Sequence, residues 1–236
     1  MNLLDTIAAV STPYGKGGVA LIRISGADAI AVADKIFKAR SGKSLADSEH
    51  GRMTYGEIFM PGESDSVDDV MAVAFRAPRS FTGEDTTELC CHGGLFIMNK
   101  VLRLVFRLGA SPAAPGEFTK RAFLNGKLAL TQAEAVIDLI EADSADAAAN
   151  AAGQVGGMLQ KKLAPIYDDL TNLCSHFHAV LDYPDEDIED FGLGNYQKQL
   201  RANAKALYAL LQTYGQGRIL RSGVAAAIVG KPNVGK

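Results

Sequence analysis

The heptapeptide Gly230-Lys-Pro-Asn-Val-Gly-Lys236 has the G-x-x-x-x-G-K spacing of a phosphate-binding loop. Its glycines let successive backbone N–H groups turn toward a phosphate chain, and Lys236 would neutralise the terminal phosphates. The apolar run at 224–229 reads as the buried strand from which such a loop springs. A Ser or Thr hydroxyl for magnesium is expected directly after Lys236, where the sequence stops. The 236 residues are therefore expected to reach only the threshold of a nucleotide-binding domain.

Three other groupings carry charge or sulfur. Between Asn99 and Lys127 stand six basic residues, Lys100, Arg103, Arg107, Lys120, Arg121 and Lys127, against the single acid Glu117, which makes a candidate anion-facing surface. Residues 182–190 carry six acids and no base, and like charges at that density predict an exposed connector rather than a helix. The segment also lacks the glycine-containing twelve-position calcium loop. Cys90, Cys91 and Cys174 have neither zinc-ligand spacing nor the numbers of a disulfide framework, so they are expected to serve packing in a reducing compartment.

Bulk properties bound what surrounds these groups. The 24 basic and 27 acidic residues leave a formal charge of -3, so any contact with nucleic acid must be local. Met1-Asn-Leu-Leu-Asp5 has no basic leader region, and no apolar run approaches the roughly 18 to 20 residues that span a bilayer. A cytoplasmic protein with no membrane partner is expected.

The elements that must position these residues fall into two textures. Up to about residue 120 the chain reads as α+β, with strands at 19–25, 53–59, 70–75 and 86–91 forming one sheet. Helical spacing places Ile30, Ala33 and Phe37 on one face over 28–39, and Ile97, Val101, Leu104, Val105 and Leu108 on another; both helices are expected on the sheet. After Pro115-Gly116 the texture is helical. Thr131 and Glu134 are spaced as a capping box, a long stretch over 154–180 is interrupted at Pro165, and a third runs over 196–214.

Several strings in this frame resemble those of the MnmE (TrmE) family of tRNA-modification GTPases. They are Gly15-Lys-Gly-Gly-Val19, Arg23-Ile-Ser-Gly26, Phe81-Thr-Gly-Glu-Asp85, Cys91-His-Gly-Gly94, the run from Ala114 to Lys127, and Thr131-Gln-Ala-Glu-Ala135. The resemblance runs from Asp5 to Lys236. It implies an α+β folate-binding domain, aminomethyltransferase-like, over residues 1–118, the first half of an all-α helical domain over 119–217, and the start of a Ras-like α/β GTPase domain over 218–236.

It further implies a homodimer formed through the N-terminal domain. With a FAD-dependent partner in a heterotetramer, such proteins build aminomethyl or carboxymethylaminomethyl groups on C5 of the wobble uridine of certain tRNAs. The one-carbon donor is a reduced folate, 5-formyl- or methylene-tetrahydrofolate, and the complete protein uses GTP, K+ and Mg2+. The chain as given is expected to bind folate and dimerise without hydrolysing GTP.

Residue by residue, the family's folate contacts fall on Arg23, Glu88 and Lys127. A carboxylate such as Glu88 can accept two parallel N–H bonds from a pterin edge. Arg23 lies inside an apolar strand and needs an anionic partner, from the protein or the ligand. Lys127 follows the turn former Asn125-Gly126. An internal ion-pair network accounts for the same residue types without a ligand. Asn233 falls on the potassium-coordinating position, and Asn233, Val234, Gly235 and Lys236 on the GTP cradle; the GTPase catalytic residues are expected beyond Lys236.

Tyr14 stands where the family has proline, Lys16 where it has arginine and Ala129 where it has aspartate. The first two are expected to alter a loop near the folate pocket. A ribosome-assembly GTPase with an RNA-binding N-terminal region and a non-catalytic dimerisation module are competing readings. Folate binding separates both from the first.

Overall fold

The computed structural model describes residues 5–183, 193–215, 217, 226–227 and 229–230. Its contacts divide into two compact units, 1–128 and 129–236. The helix Glu117–Leu124, which spans the expected junction at residue 118, belongs to the first unit.

The first unit is built on one seven-stranded sheet. Its strands are β1 (Ile7–Val10), β2 (Val19–Ser25), β3 (Phe37–Ala39), β4 (Met53–Phe59), β5 (Ser66–Phe75), β6 (Thr86–His92) and β7 (Ser111–Pro112), in the order β3-β4-β5-β6-β2-β1-β7. Neighbours are antiparallel except β1 and β7. The four expected strands are all present. The three additional ones have only two to four residues each, too few to show an alternating pattern.

Alternation gives this sheet two unlike faces. Ile22, Ile24, Val70, Ala72, Leu89 and Cys91 form one face, and they join a single core with α1 (Ala29–Asp34) and α2 (Leu95–Arg107). Full burial of side chains such as Ile22, Ile24 and Leu89 contributes about 1.5–3 kcal/mol each. Both helices contact the sheet as expected, but α1 is shorter than the 28–39 reading. Phe37 and Ala39 leave the helix to pair with Ile58 and Gly56. Cross-strand pairing there outweighs a helical spacing that Ile30, Ala33 and Phe37 satisfy only by coincidence.

The opposite face carries two rows set by register. Met53, Val73, Glu88, Arg23 and Ala9 lie side by side, and next to them Tyr55, Met71, Cys90 and Leu21. Over part of this face sit the loop at 76–85 and α3 (Glu117–Leu124), which are held together by polar contacts.

The second unit contains α4 (Leu130–Ile140), α5 (Ala145–Val155), α6 (Met158–Asp182) and α7 (Leu193–Gln212). Helix α4 starts earlier than the Thr131–Glu134 box implied, because Gln132 Oε1 accepts the N–H of Ala129 at 2.9 Å. The break in the following stretch falls at Gly156-Gly157, not at Pro165, which lies inside α6. Gly157 has φ +77, a left-handed turn that glycine adopts without penalty.

The expected strand at 224–229 is not formed by its described members. Ala226, Ala227 and Val229 are exposed and belong to no strand, and no described residue supplies a ladder partner. Most of the acidic segment 182–190 lies outside the described residues. Among the described residues no group of three or more metal-ligating side chains occurs, and no helix is long and apolar enough to cross a membrane.

Candidate functional site

Arg23 of β2 and Glu88 of β6 are direct cross-strand partners on the sheet face opposite the core. Arg23 Nη2 lies 2.7 Å from Glu88 Oε1, and Nε donates to the same oxygen at 2.8 Å. Oxygen Oε1 is thus satisfied twice, while among the described residues nothing bonds Oε2. The anionic partner that Arg23 needed is Glu88 itself. In this arrangement one carboxylate oxygen, rather than the expected parallel pair, is open to a ligand. The two side chains keep 22% and 18% of their surface, so the pair is recessed but reachable.

Two aromatic rings close over the guanidinium. Its central carbon is 5.4 Å from the centroid of Phe81 and 5.5 Å from that of Phe118, within cation–π range. Phe81 comes from the 76–85 loop and Phe118 from α3, so the site depends on how those two segments are fixed. Neither ring is assigned a role by the sequence reading, although both lie in strings that carried the resemblance.

The fixing is done by a buried ionic network. Arg121 on α3, only 2% exposed, donates through Nη1 to both carboxylate oxygens of Glu84 at 3.2 Å and through Nη2 to Glu117 Oε1 at 3.1 Å. Glu84 Oε2 also accepts from Ser25 Oγ at 2.8 Å, at the end of the same strand that holds Arg23. Glu117 Oε2 accepts from the N–H of Ala114 at 2.7 Å. Asn125 Nδ2 donates to Thr82 O at 2.8 Å, and Ser80 Oγ to Glu84 O at 2.6 Å, which folds the loop on itself. Arg121 Nε is buried without a partner among the described residues.

Lys127 is exposed, and its Nζ donates to Pro78 O at 3.0 Å. A Cβ on Gly83 would stand 3.0 Å from Asn125 Cβ and 3.2 Å from Lys127 Cγ, so the turn after α3 packs closely on the loop bearing Phe81. Of the three expected folate contacts, Arg23 and Glu88 are joined directly, and Lys127 is tied to the loop that covers them.

The expected anion-facing run does not form one surface. Arg121 is consumed in the buried network, and Lys127 meets a carbonyl, while Lys100, Arg103 and Arg107 lie along α2. Tyr14, in the loop expected near the folate pocket, accepts from Asn99 Nδ2 on α2 at 3.0 Å. The cysteines also divide. Cys91 is buried, and burial, followed by the nearby Asp68 and Cys90, pushes its thiol up to about 12. Cys90 is half-buried and Cys174 exposed, so packing does not account for Cys174; no residue of α6 is buried. Asn233, Val234, Gly235 and Lys236 lie outside the described residues.

Known families match both units of this chain. The model for the "GTP-binding protein TrmE N-terminus" matches residues 6–127, and that for the "MnmE helical domain" matches residues 130–226. The chain belongs to the MnmE (TrmE) family. Its curated relatives include proteins named tRNA modification GTPase MnmE. That of Lactobacillus gasseri is 43% identical over 236 residues, all of this chain and 50% of the relative. Those of Bacillus subtilis, 44% over 234 residues, and Geobacillus kaustophilus, 44% over 237, are covered to 51% of their lengths. The chain thus spans about half the length of the curated MnmE relatives it matches. The Arg23–Glu88 pair and the network of Arg121 both fall within the TrmE N-terminal match.

Proposed function

We propose that the first unit is the folate-binding, dimer-forming domain of a tRNA-modification GTPase. In the complete protein, working with a FAD-dependent partner, it builds aminomethyl or carboxymethylaminomethyl groups at C5 of the wobble uridine of certain tRNAs. The observation that carries this reading is the acceptor Glu88 Oε2, open beside a guanidinium capped by Phe81 and Phe118.

These residues fit a reduced folate. Glu88 accepts an N–H of the pterin edge, Arg23 fixes the orientation of that carboxylate, and Phe81 and Phe118 offer ring faces. Lys127 stands at the rim, where its amine meets an anionic part of the ligand. Bound there, a 5-formyl- or methylene-tetrahydrofolate supplies the one-carbon unit. The fold is proposed to be aminomethyltransferase-like on the same ground.

Dimerisation through this domain is supported by the sheet face that bears the pair. Val19, Met53, Tyr55 and Met71 are 60%, 58%, 47% and 41% exposed on it, Tyr55 and Met71 as direct cross-strand partners, and exposed apolar side chains grouped on one face suit an interface. A second copy of the chain is the proposed cover, and it would shield the neighbouring Arg23–Glu88 row from water.

The GTPase part of the reading rests on the G-x-x-x-x-G-K motif at 230–236, the proposed start of a Ras-like domain, and on the names of the relatives. Within it Gly235 and Lys236 cradle GTP and Asn233 coordinates K+, and the complete protein also uses Mg2+. A cytoplasmic setting follows from tRNA as the substrate.

Isothermal titration of the full chain with 5-formyltetrahydrofolate tests the site. Binding in the micromolar range is expected, with Glu88→Ala weakening it about 5- to 150-fold, since an unpaired pterin edge costs about 1–3 kcal/mol. Equal affinity in the variant would sink the assignment.

A further inference from the structure

Helix α2 carries a stripe that neither the core nor the folate site uses. Its buried residues are Met98, Val101, Leu104 and Val105. Phe96, Lys100, Arg103 and Arg107 follow one another at four, three and four residues, which keeps them within one narrow face of a 3.6-residue helix over roughly 16 Å. The helix contains no acid, and among the described residues none of its three cations meets a carboxylate. In a chain of formal charge -3, a row of unpaired cations is a local feature with a local purpose.

The stripe borders a cleft of about 670 Å³. Tyr14 stands on its other side, 71% exposed, with its hydroxyl held by Asn99, which also donates to Leu95 O at 2.8 Å. Phe96 is 76% exposed at the first turn of α2. The segment bearing Tyr14 is fastened to the helix entrance by Gly17 N–H to Gly93 O at 3.1 Å and Gly93 N–H to Gly18 O at 3.3 Å. A Cβ on Gly93 would stand 2.5 Å from Gly17 O, so this close approach requires glycine. The same segment adds Lys16. Two uncovered aromatic rings beside a row of unpaired cations are the parts of a surface that stacks bases and tracks a phosphate backbone.

We infer that the cleft along α2 is an RNA-docking surface, with Lys100, Arg103 and Arg107 on the phosphodiester backbone and Tyr14 and Phe96 against an unpaired base. The inference rests on the reading of the chain as part of a tRNA-modifying protein, and it assigns that substrate a surface distinct from the Arg23–Glu88 row.

The test is fluorescence anisotropy of a labelled anticodon stem–loop RNA with the full chain across a salt series. Wild type is expected to bind with an affinity that falls as salt rises. The double variant Arg103→Gln/Arg107→Gln should weaken binding about tenfold and lower the log–log salt slope by about two, one unit for each lost phosphate contact. Phe96→Ala should weaken binding about tenfold with the slope unchanged, because stacking carries no counterion. All variants should keep wild-type affinity for 5-formyltetrahydrofolate, which shows that the fold is intact. Variants that bind RNA with wild-type affinity and slope overturn the surface while leaving the tRNA reading in place. So does unchanged RNA binding alongside lost binding to phosphatidylglycerol vesicles. A wild-type chain that ignores RNA even at low salt, yet binds the folate, overturns the tRNA reading as well.

Discussion

The sheet unit and the helical unit bury their residues very differently. Every buried hydrophobic side chain among the described residues lies in the first unit, except Ala135 and Ala151. In the second, Ile140, Tyr167, Tyr208 and Leu211 are 73%, 71%, 67% and 64% exposed, and α6 has no buried residue over its 25 positions. The first unit has a core of its own and can hold a site to fixed geometry. The second is a set of amphipathic helices whose apolar stripes remain available for further packing. The proposed folate site draws on that rigidity, since strand register sets Arg23 against Glu88.

Substitutions can break this contrast. Arg121→Ala should have the largest effect, about 3–5 kcal/mol in urea unfolding, because it strands Glu84 and the nearly buried Glu117 without their cation. Leu89→Ala, at the centre of the core, should cost about 2–5 kcal/mol, whereas the same truncation at exposed Leu211 should stay within about 0.5 kcal/mol. Equal costs at Leu89 and Leu211 would mean that the two units are packed alike.

Thiol chemistry sharpens the contrast without disturbing the fold. Burial keeps Cys91 protonated at any ordinary pH, so it should resist a thiol reagent at pH 8 until the chain unfolds, while exposed Cys174 reacts at once. Mass mapping of the labelled peptides decides it; rapid labelling of Cys91 would show that its core is not closed.

The smallest effect is electrostatic and confined to the sheet unit. The hydrogen bond and charge of Asp68 raise His92 above its ordinary 6.5. A raised folded pKa stabilises the protonated form, so the contribution is fully present below 6.5 and is lost as pH rises through the folded value. The His92 imidazole is exposed, and Asp68→Asn should return its NMR titration midpoint toward the ordinary value while changing stability little. An unmoved midpoint would place the cause elsewhere.

Much of the sheet was legible because β2, β4, β5 and β6 are long enough to show alternation between turn residues. The short edge strands were not, and Phe37 shows why: its helical spacing is real, but its pairing with Ile58 lies in a residue more than 20 positions away. Arg23 and Glu88 were found through the family resemblance, although Glu88 lies between its strings, and the need of Arg23 for an anion followed from its apolar strand. Arg121 was misread as a surface cation. Its neighbour Glu117, four residues earlier, hinted at a pair, but the loop carboxylate of Glu84 comes from 37 residues away. Phe81 and Phe118 were visible as residues but not as a pair of rings, since only the folded loop and α3 bring them over one guanidinium.

Hydrogen exchange with and without 5-formyltetrahydrofolate tests the placement of the site most directly. Ligand should slow exchange in residues 76–85, in α3 and in the turn leading to Lys127, and leave α4 to α7 unchanged. Protection confined to the helical unit, or none at saturating folate, would contradict a folate site at Arg23 and Glu88.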